Sequence, residues 1–265
     1  MLQSFEFSKE LLLRILNYIT SKILKLKSNT MKKILLIILC LTIMIPLVTA
    51  QEAEINKRGY LGISIGAAIP VGEFGSTDIG GEYSGFAKTG LSFQLINFGY
   101  RLGKNLGIAG LWSGSAFNMD VDALVNNSGL GAVNVEADPW SFGAFMGGLL
   151  ISIPSDKFDI DFRGLIGFSY GKTPEMTISG YDIEGNYAFV KQTSGTSNSF
   201  AYDLGVGIRY NVSRLICINL LLDYMGSKPK FSTDLFSANG YYGKSEFDQP
   251  MNHITITGGI GFRLK

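Results

Sequence analysis

The sequence predicts an all-β protein, an eight-stranded antiparallel transmembrane β-barrel with up-and-down topology. Three observations predict this fold class. An export signal stands in the N-terminal part, apolar and polar residues alternate repeatedly after position 59, and short and long connections alternate between these segments. The barrel domain is predicted to cover residues 51–265.

The export signal lies in residues 31–50, where two lysines precede an apolar run at 34–48. This run is short for a membrane-spanning helix, which needs about 20 residues. A charged start, a short apolar run and a small residue at the end, Ala50, are the layout of a secretory signal peptide. We therefore expect export through the Sec pathway and a mature chain that begins at Gln51.

Residues 1–30 form a basic stretch upstream of this signal, with apolar residues near helical spacing. A helix lying on a membrane surface would have such a pattern. Because an export signal acts at the N-terminus, we expect instead that Met31 is the translation start. Residues 1–30 are then an upstream extension outside the mature protein.

Composition excludes several function classes. Of the 23 basic and 22 acidic residues, seven and two fall in the first fifty positions, which leaves 16 against 20 in the predicted mature chain. No basic patch predicts nucleic-acid binding. Cys217 is the only thiol after position 50 and His253 the only histidine, so neither an internal disulfide nor a metal cluster is expected. No cofactor is expected either.

Eight segments after position 59 alternate apolar and polar residues with a period of two, which places one set of side chains on each face of a strand. Each segment is long enough to cross a bilayer at a steep tilt, which takes about 9–11 residues. The segments are 60–69, 90–101, 106–117, 140–153, 158–171, 200–210, 215–226 and 253–264.

The connections between these segments alternate in length. Short periplasmic turns and long outer loops are typical of a transmembrane barrel, whereas loops of this length are uncommon in a compact soluble domain. The predicted short turns are 102–105, 154–157 and 211–214, and the predicted long loops are 70–89, 118–139, 172–199 and 227–252.

Two segments depart from simple alternation. In the second, the apolar residues change face between Leu95 and Ile96, and a β-bulge near Leu95 would restore the phase. The fourth segment is apolar on both faces, so its register stays open.

Aromatic residues fall at both ends of the segments, as girdles at the two membrane interfaces would. Those assigned to the periplasmic ends are Tyr60, Tyr100, Phe158, Tyr210 and Phe262, and those assigned to the outer ends are Trp140, Tyr170, Phe200 and Tyr224.

The chain resembles the small outer-membrane β-barrel proteins, the porin family barrels that include the membrane domain of OmpA and OmpX. Residues 69–74, 85–90, 163–167 and 258–265 carry the resemblance. It implies a bacterial outer-membrane location and lipopolysaccharide and other outer-membrane lipids as surroundings. It also implies that barrel assembly machinery recognises the terminal strand, with Phe262 and Leu264 as the assembly signal. The motifs are architectural and specify no activity.

Seven charged residues are predicted to point into the barrel lumen. Eight strands leave an interior that side chains nearly fill, and an unpaired buried charge is costly. We therefore expect opposite charges to pair into a structural network, and the alternative is a narrow passive pore for small solutes. The seven residues are Asp159, Asp161, Arg163, Asp203, Arg209, Asp223 and Arg263.

The favoured function is a non-enzymatic barrel with a structural or surface-interaction role. A lipid-modifying enzyme would need a nucleophile beside His253, but its same-face neighbours in the strand are Thr255 and Thr257, so no catalytic residue is assigned. Aromatic residues of the long loops are candidate binding surfaces whose ligand the sequence does not name. They are Phe74, Tyr83, Tyr181, Tyr187, Phe231, Phe236, Tyr241 and Tyr242.

Overall fold

The computed structural model describes residues 58–81, 83–129, 133–181 and 186–265. The predicted upstream extension and signal peptide lie outside these residues. Within them, no helix is both long and apolar enough to cross a membrane.

The described residues form thirteen strands and one α-helix, together with a 3₁₀ turn at Gly72–Gly75. In chain order the elements are β1 (Gly59–Pro70), β2 (Gly90–Arg101), β3 (Leu106–Phe117), α1 (Val121–Ser128), β4 (Asn134–Ala137), β5 (Trp140–Pro154), β6 (Phe158–Lys172), β7 (Met176–Tyr181), β8 (Tyr187–Gln192), β9 (Thr196–Asn211), β10 (Ile216–Ser227), β11 (Lys230–Ser237), β12 (Tyr242–Asp248) and β13 (His253–Leu264).

Eight of the strands close into an antiparallel barrel in the order β1-β13-β10-β9-β6-β5-β3-β2. Each barrel strand pairs with the barrel strands before and after it in the chain, and β13 returns to pair with β1. The eight-stranded up-and-down fold predicted from the sequence is therefore confirmed. The largest difference is at β9, which begins at Thr196 instead of position 200.

The barrel surface is apolar and its interior is polar. Leu149 and Phe168 point outward with 72% and 74% of their surface exposed, whereas Asp203 and Asp223 are fully buried inside. A soluble barrel would have the opposite distribution, because exposed apolar surface is costly in water. This distribution places the barrel in a lipid bilayer, and antiparallel barrels of this build are outer-membrane proteins. The end with the long loops is called the outer end below, and the opposite end the turn end.

The predicted bulge near Leu95 is confirmed. The pairing of β2 with β3 shifts its register between Gln94 and Ile96, so that Leu95 and Ile96 both face outward. In β5, the register that the sequence left open is fixed by β3 and β6. Met146 points inward and is buried, and Phe145 points outward.

Four aromatic assignments are wrong. Tyr60 and Trp140 were expected in the membrane girdles, but their positions on β1 and β5 have inward parity, and both are buried inside the barrel. Phe74 and Phe231 were expected as exposed loop residues, but both are fully buried at the outer end. Phe74, Trp140 and Phe231 pack against other rings inside the barrel mouth, where these contacts outweigh the preference of aromatic rings for interfaces. Tyr60 lies instead at the turn end, under the guanidinium of Arg209.

The outer loops contain a second, five-stranded sheet in the order β12-β11-β8-β7-β4, where the sequence predicted only loops. Helix α1 packs in the same region. Its N-terminus is capped by Asp120, whose Oδ1 accepts a hydrogen bond of 3.0 Å from the Ala123 N–H. This bond, together with the ammonium of Lys88, holds the pKa of Asp120 below its ordinary value. The outer loops therefore contain regular secondary structure.

Removal of the last eight residues, 258–265, is expected to prevent formation of a folded barrel. These residues pair with β1 on one side and with β10 on the other, and their loss leaves unpaired backbone groups in lipid at several kcal/mol each. The measurement is heat-dependent gel mobility of the membrane fraction. Removal of Lys265 alone, which lies beyond β13, is the control and should leave the folded band intact. A folded band from the eight-residue deletion would contradict the expectation.

Candidate functional site

The lumen contains two groups of charged side chains at different heights. The central ion cluster lies in the middle of the barrel, and the turn-end ion cluster lies nearer the short turns. The central ion cluster consists of Arg163, Asp203 and Asp223 with the polar residues Gln94, Asn97 and Thr255, and the turn-end ion cluster consists of Arg209, Asp159 and Asp161 with Asn211 and Tyr60.

The central ion cluster is organised around the pair of Arg163 and Asp223. The guanidinium approaches both carboxylate oxygens, with Nε 3.0 Å from Oδ1 and Nη2 2.8 Å from Oδ2. Asp203 lies beside the same guanidinium, with its Oδ1 3.4 Å from Nε. Because both partners of the main pair are almost fully buried, their attraction is screened much less than that of a surface pair.

Strand β2 completes the cluster from across the lumen. Arg163 Nη1 donates to Asn97 Oδ1 at 3.0 Å, and Gln94 Nε2 donates to Asp223 Oδ2 at 3.1 Å. These bonds connect opposite walls of the barrel, so the cluster spans the lumen. Such hydrogen bonds offset part of the desolvation cost of a buried ion pair.

The close approach of Arg163 and Asp223 depends on Gly205. In the strand register, Gly205 lies between the two, opposite Arg163 on β6 and opposite Asp223 on β10. A Cβ atom at this position would overlap Asp223 Oδ1 and lie 2.8 Å from Arg163 Nε. The absence of a side chain therefore provides the space for the pair.

The turn-end ion cluster follows the strand register more simply. Arg209 on β9 lies directly opposite Asp159 on β6, with Nη2 2.9 Å from Oδ2, and 3.4 Å from Asp161 Oδ2. The guanidinium also lies over the ring of Tyr60, with Cζ 4.1 Å from the ring centroid, a geometry of cation–π attraction.

The other predicted site residues lie near the turn end of β13. Arg263 is half-buried and donates from Nη1 to the Ser213 carbonyl at 2.9 Å. The structure brings the other six predicted lumen charges into the two clusters. Phe262 points outward with 65% of its surface exposed, and Leu264 is half-buried opposite Gly59.

The sequence analysis gave no site role to five polar members of the two clusters, namely Gln94, Asn97, Tyr60, Asn211 and Thr255. The sequence did contain a signal for Gln94 and Asn97, because the predicted bulge at Leu95 turns both of these flanking polar residues inward. Tyr60 shares the inward parity of Gly62 on β1, so its position too was available from the strand pattern.

Above the central ion cluster, aromatic rings fill the outer end of the lumen. We call this group the aromatic plug. Its rings meet mostly edge to face, with centroids 4.8–5.6 Å apart in the four closest pairs, which is a favourable arrangement of aromatic pairs. The aromatic plug consists of Phe74, Phe117, Trp140, Phe142, Phe231 and His253.

His253 is a fully buried member of the aromatic plug. Its ring packs against Phe117 and Phe142, and its Nδ1 lies 3.1 Å from the Met251 carbonyl oxygen. It therefore points away from the lipid-facing surface. In the part of the chain that the structure describes, no group of three or more His, Cys, Asp or Glu side chains is placed to hold a metal ion.

No protein-family model and no curated protein matches the sequence. Solved structures do match. The attachment invasion locus protein Ail of Yersinia pestis is 18% identical over 78% of this chain and 99% of its own, with a TM-score of 0.40. A major outer membrane protein from Thermus thermophilus is 14% identical over 77% and 99%, with a TM-score of 0.44. The outer membrane protease OmpT from Escherichia coli is 11% identical over 82% and 100%, with a TM-score of 0.33. At these identities the likeness concerns the fold alone.

Replacement of Arg163 by leucine is expected to lower the free energy of unfolding by about 3–5 kcal/mol, because it leaves Asp203 and Asp223 buried without their cation. The measurement is the urea midpoint and slope of the refolded barrel in micelles. The control is Lys230→Ala, which breaks an exposed pair with Glu246 in the outer sheet and should leave the midpoint unchanged.

A glycine variant tests the same interaction without removing a charge. Gly205→Ala should also lower the midpoint, because the added methyl group displaces Asp223. Gly147→Ala is the matched control, since a Cβ there meets its nearest atom, the Ala109 carbonyl oxygen, at 3.7 Å. Equal midpoints for the two alanine variants and an unchanged midpoint for Arg163→Leu would contradict the role of the central ion cluster.

Proposed function

We propose that this chain is a non-enzymatic bacterial outer-membrane barrel with a surface-interaction role, in which a closed barrel carries the outer sheet as its binding surface. The observation that carries the proposal is the set of exposed aromatic side chains at the tips of two adjacent hairpins. A closed lumen and a buried histidine support it.

The hairpin-tip aromatics form two cross-strand pairs and one turn residue. Tyr181 pairs with Tyr187 across β7 and β8, and Phe236 pairs with Tyr242 across β11 and β12, with ring centroids 5.9 and 5.3 Å apart. Tyr241 lies beside the second pair. Because β8 pairs with β11, both tips lie at the same end of the sheet.

These side chains are costly to leave in water, and no described part of the chain covers them. Tyr181, Tyr187, Tyr241 and Tyr242 are each 58–77% exposed. Tyrosine is enriched at protein interfaces because it offers a large rigid contact area with a polar end. Grouped exposed aromatics on a rigid sheet therefore fit a surface that binds other proteins.

The interior favours a closed barrel. The two ion clusters span the lower and middle lumen, and the aromatic plug fills the outer end with side chains that are at most 5% exposed. A solute would have to displace buried ion pairs and packed rings. The buried position of His253 likewise argues against lipid-modifying catalysis, which needs a base beside a nucleophile and access to substrate.

We also propose a route of export and assembly for this chain. The chain would be exported with cleavage before Gln51 and inserted by barrel assembly machinery that recognises Phe262 and Leu264 on β13. Phe262 presents its ring to the lipid side, where such a signal is accessible. Lipopolysaccharide and phospholipid would surround the barrel wall. No nucleic acid is a proposed partner.

Replacement of Tyr187 and Tyr242 by serine is expected to reduce adhesion several-fold, because the pair of substitutions removes one ring from each hairpin tip. Cells that display the barrel are applied to polystyrene coated with serum proteins and to polystyrene blocked with albumin. The measurement is the ratio of the cells retained on the two surfaces. Lys230→Ala, an exposed change at the opposite end of β11, is the control and should retain wild-type adhesion. Equal retention of all three forms would contradict the surface role.

The second candidate function is a narrow passive pore, for which the polar lumen wall is the supporting observation. Refolded barrel in planar bilayers is expected to give no stepwise conductance, because the ion clusters and the aromatic plug fill the lumen. A general porin refolded in the same way is the positive control. Reproducible conductance steps that disappear with the eight-residue deletion of 258–265 would favour the pore instead.

A further inference from the structure

A cavity of about 370 Å³ opens at the outer end, between the outer loops and the aromatic plug. We call it the vestibule pocket. Its volume lies within the range of small-molecule sites, about 300–1,000 Å³. The walls are mostly apolar and come from six separate parts of the chain. They include Ile79, Phe86, Leu124, Trp140, Met176 and Phe247.

The vestibule pocket has a closed floor. Trp140, one of its walls, is also part of the aromatic plug, where its ring lies 5.6 Å from that of Phe74 and 6.2 Å from that of Phe231. Both phenylalanines are fully buried. The cavity is therefore a blind pocket and not the entrance of a channel.

Two side-chain hydrogen bonds fix the loop at 83–86, which lines the pocket. Trp140 Nε1 donates to the Gly85 carbonyl at 3.0 Å, and Gln249 Nε2 donates to the Tyr83 carbonyl at 2.8 Å. Both donor residues are buried, and Trp140 is the first residue of β5. The pocket is therefore preformed, which reduces the ordering cost of binding.

Phe86 supplies a second, independent observation. Its φ is +50°, and it is the only non-glycine residue with a positive φ in the described part of the chain. A bulky side chain in this region is strained, and such strain persists where surrounding structure enforces it, often at ligand sites. Here the backbone of Phe86 bonds to Ser76 and Asp120, on opposite sides of the loop. These bonds hold its ring in the pocket wall.

The lining determines which ligand chemistry fits. Among the lining residues that the structure describes, Asp78 is the only charged one, and none is a cation. An anionic ligand therefore meets no opposite charge. Gln192, Gln249, Ser84 and Thr173 provide polar atoms at a few points of the wall.

We propose that the vestibule pocket binds a small neutral amphiphile, with an aliphatic body against the apolar wall and one hydrogen-bonding end at the glutamine side chains. This site is separate from the hairpin-tip aromatics. Its test and the adhesion test can therefore succeed or fail independently.

The two tryptophans of the chain provide the experiment. Trp140 lines the pocket, whereas Trp112 faces lipid and is 48% exposed. The probe is 11-bromoundecan-1-ol, a neutral alcohol whose bromine quenches tryptophan fluorescence on contact. It is added to barrel in nanodiscs. In Trp112→Phe, which retains Trp140, quenching should saturate. In Trp140→Phe, which retains Trp112, quenching should only follow partition of the probe into lipid.

Wall variants, made in the Trp112→Phe background, locate the binding site. Leu124→Asp adds a charge to the pocket wall and should weaken saturable quenching by about tenfold or more, because the apolar body of the ligand meets a carboxylate. Asn126→Asp is the matched control, since it adds the same charge to α1 outside the lining and should leave the titration unchanged. If Leu124→Asp gives no folded band on gels, Met176→Phe is used in its place, because the larger side chain fills the pocket.

Three outcomes overturn the proposal. The first is quenching of Trp140 that does not saturate or that matches the quenching of Trp112. The second is saturable quenching that Leu124→Asp, or its replacement Met176→Phe, leaves unchanged. The third is equal weakening by Asn126→Asp, which would indicate a general effect of charge on probe uptake.

Discussion

The hydrogen bonds between β1 and β13 join the two ends of the described chain into a closed cylinder, and the bilayer makes this closure obligatory. Lipid offers no partner to a backbone amide, so an open sheet edge would leave a row of unpaired groups. Closure of eight strands in turn sets the width of the lumen. The inside-out distribution of side chains and the need to fill the interior both follow from this single constraint.

Within that width, the interior has to be filled by side chains that pair their charges, share hydrogen bonds or pack against one another. The chain uses charge in the middle and at the turn end, and aromatic packing at the outer end. The central ion cluster depends on a glycine, because Arg163 and Asp223 meet across the strand that separates them only where Gly205 has no side chain. A residue without functional atoms thus decides the geometry of a charged site.

The outer end contains both the aromatic plug and the five-stranded outer sheet. The aromatic plug fills the outer end of the lumen, and the same Trp140 that belongs to it also bonds to the loop at 83–86 and lines the vestibule pocket. Above it, the five-stranded sheet presents tyrosines to solvent. Each of these loops begins and ends on a barrel strand, so the barrel fixes the positions of the loop ends.

The sequence by itself determined the barrel strands, the positions of the turns and most of the lumen charges, because each depends on a local period of two that one strand displays alone. It also placed the bulge at Leu95, from a change of phase within β2. Only the tertiary structure decided which charges meet, since Arg163 reaches Asn97 across the lumen and the pairing partners come from distant strands. It likewise decided that Phe74 and Phe231 are buried and that the outer loops form a sheet. These features depend on contacts between segments far apart in the chain. A strand as short as β4, with four residues, also shows no periodic pattern in the sequence.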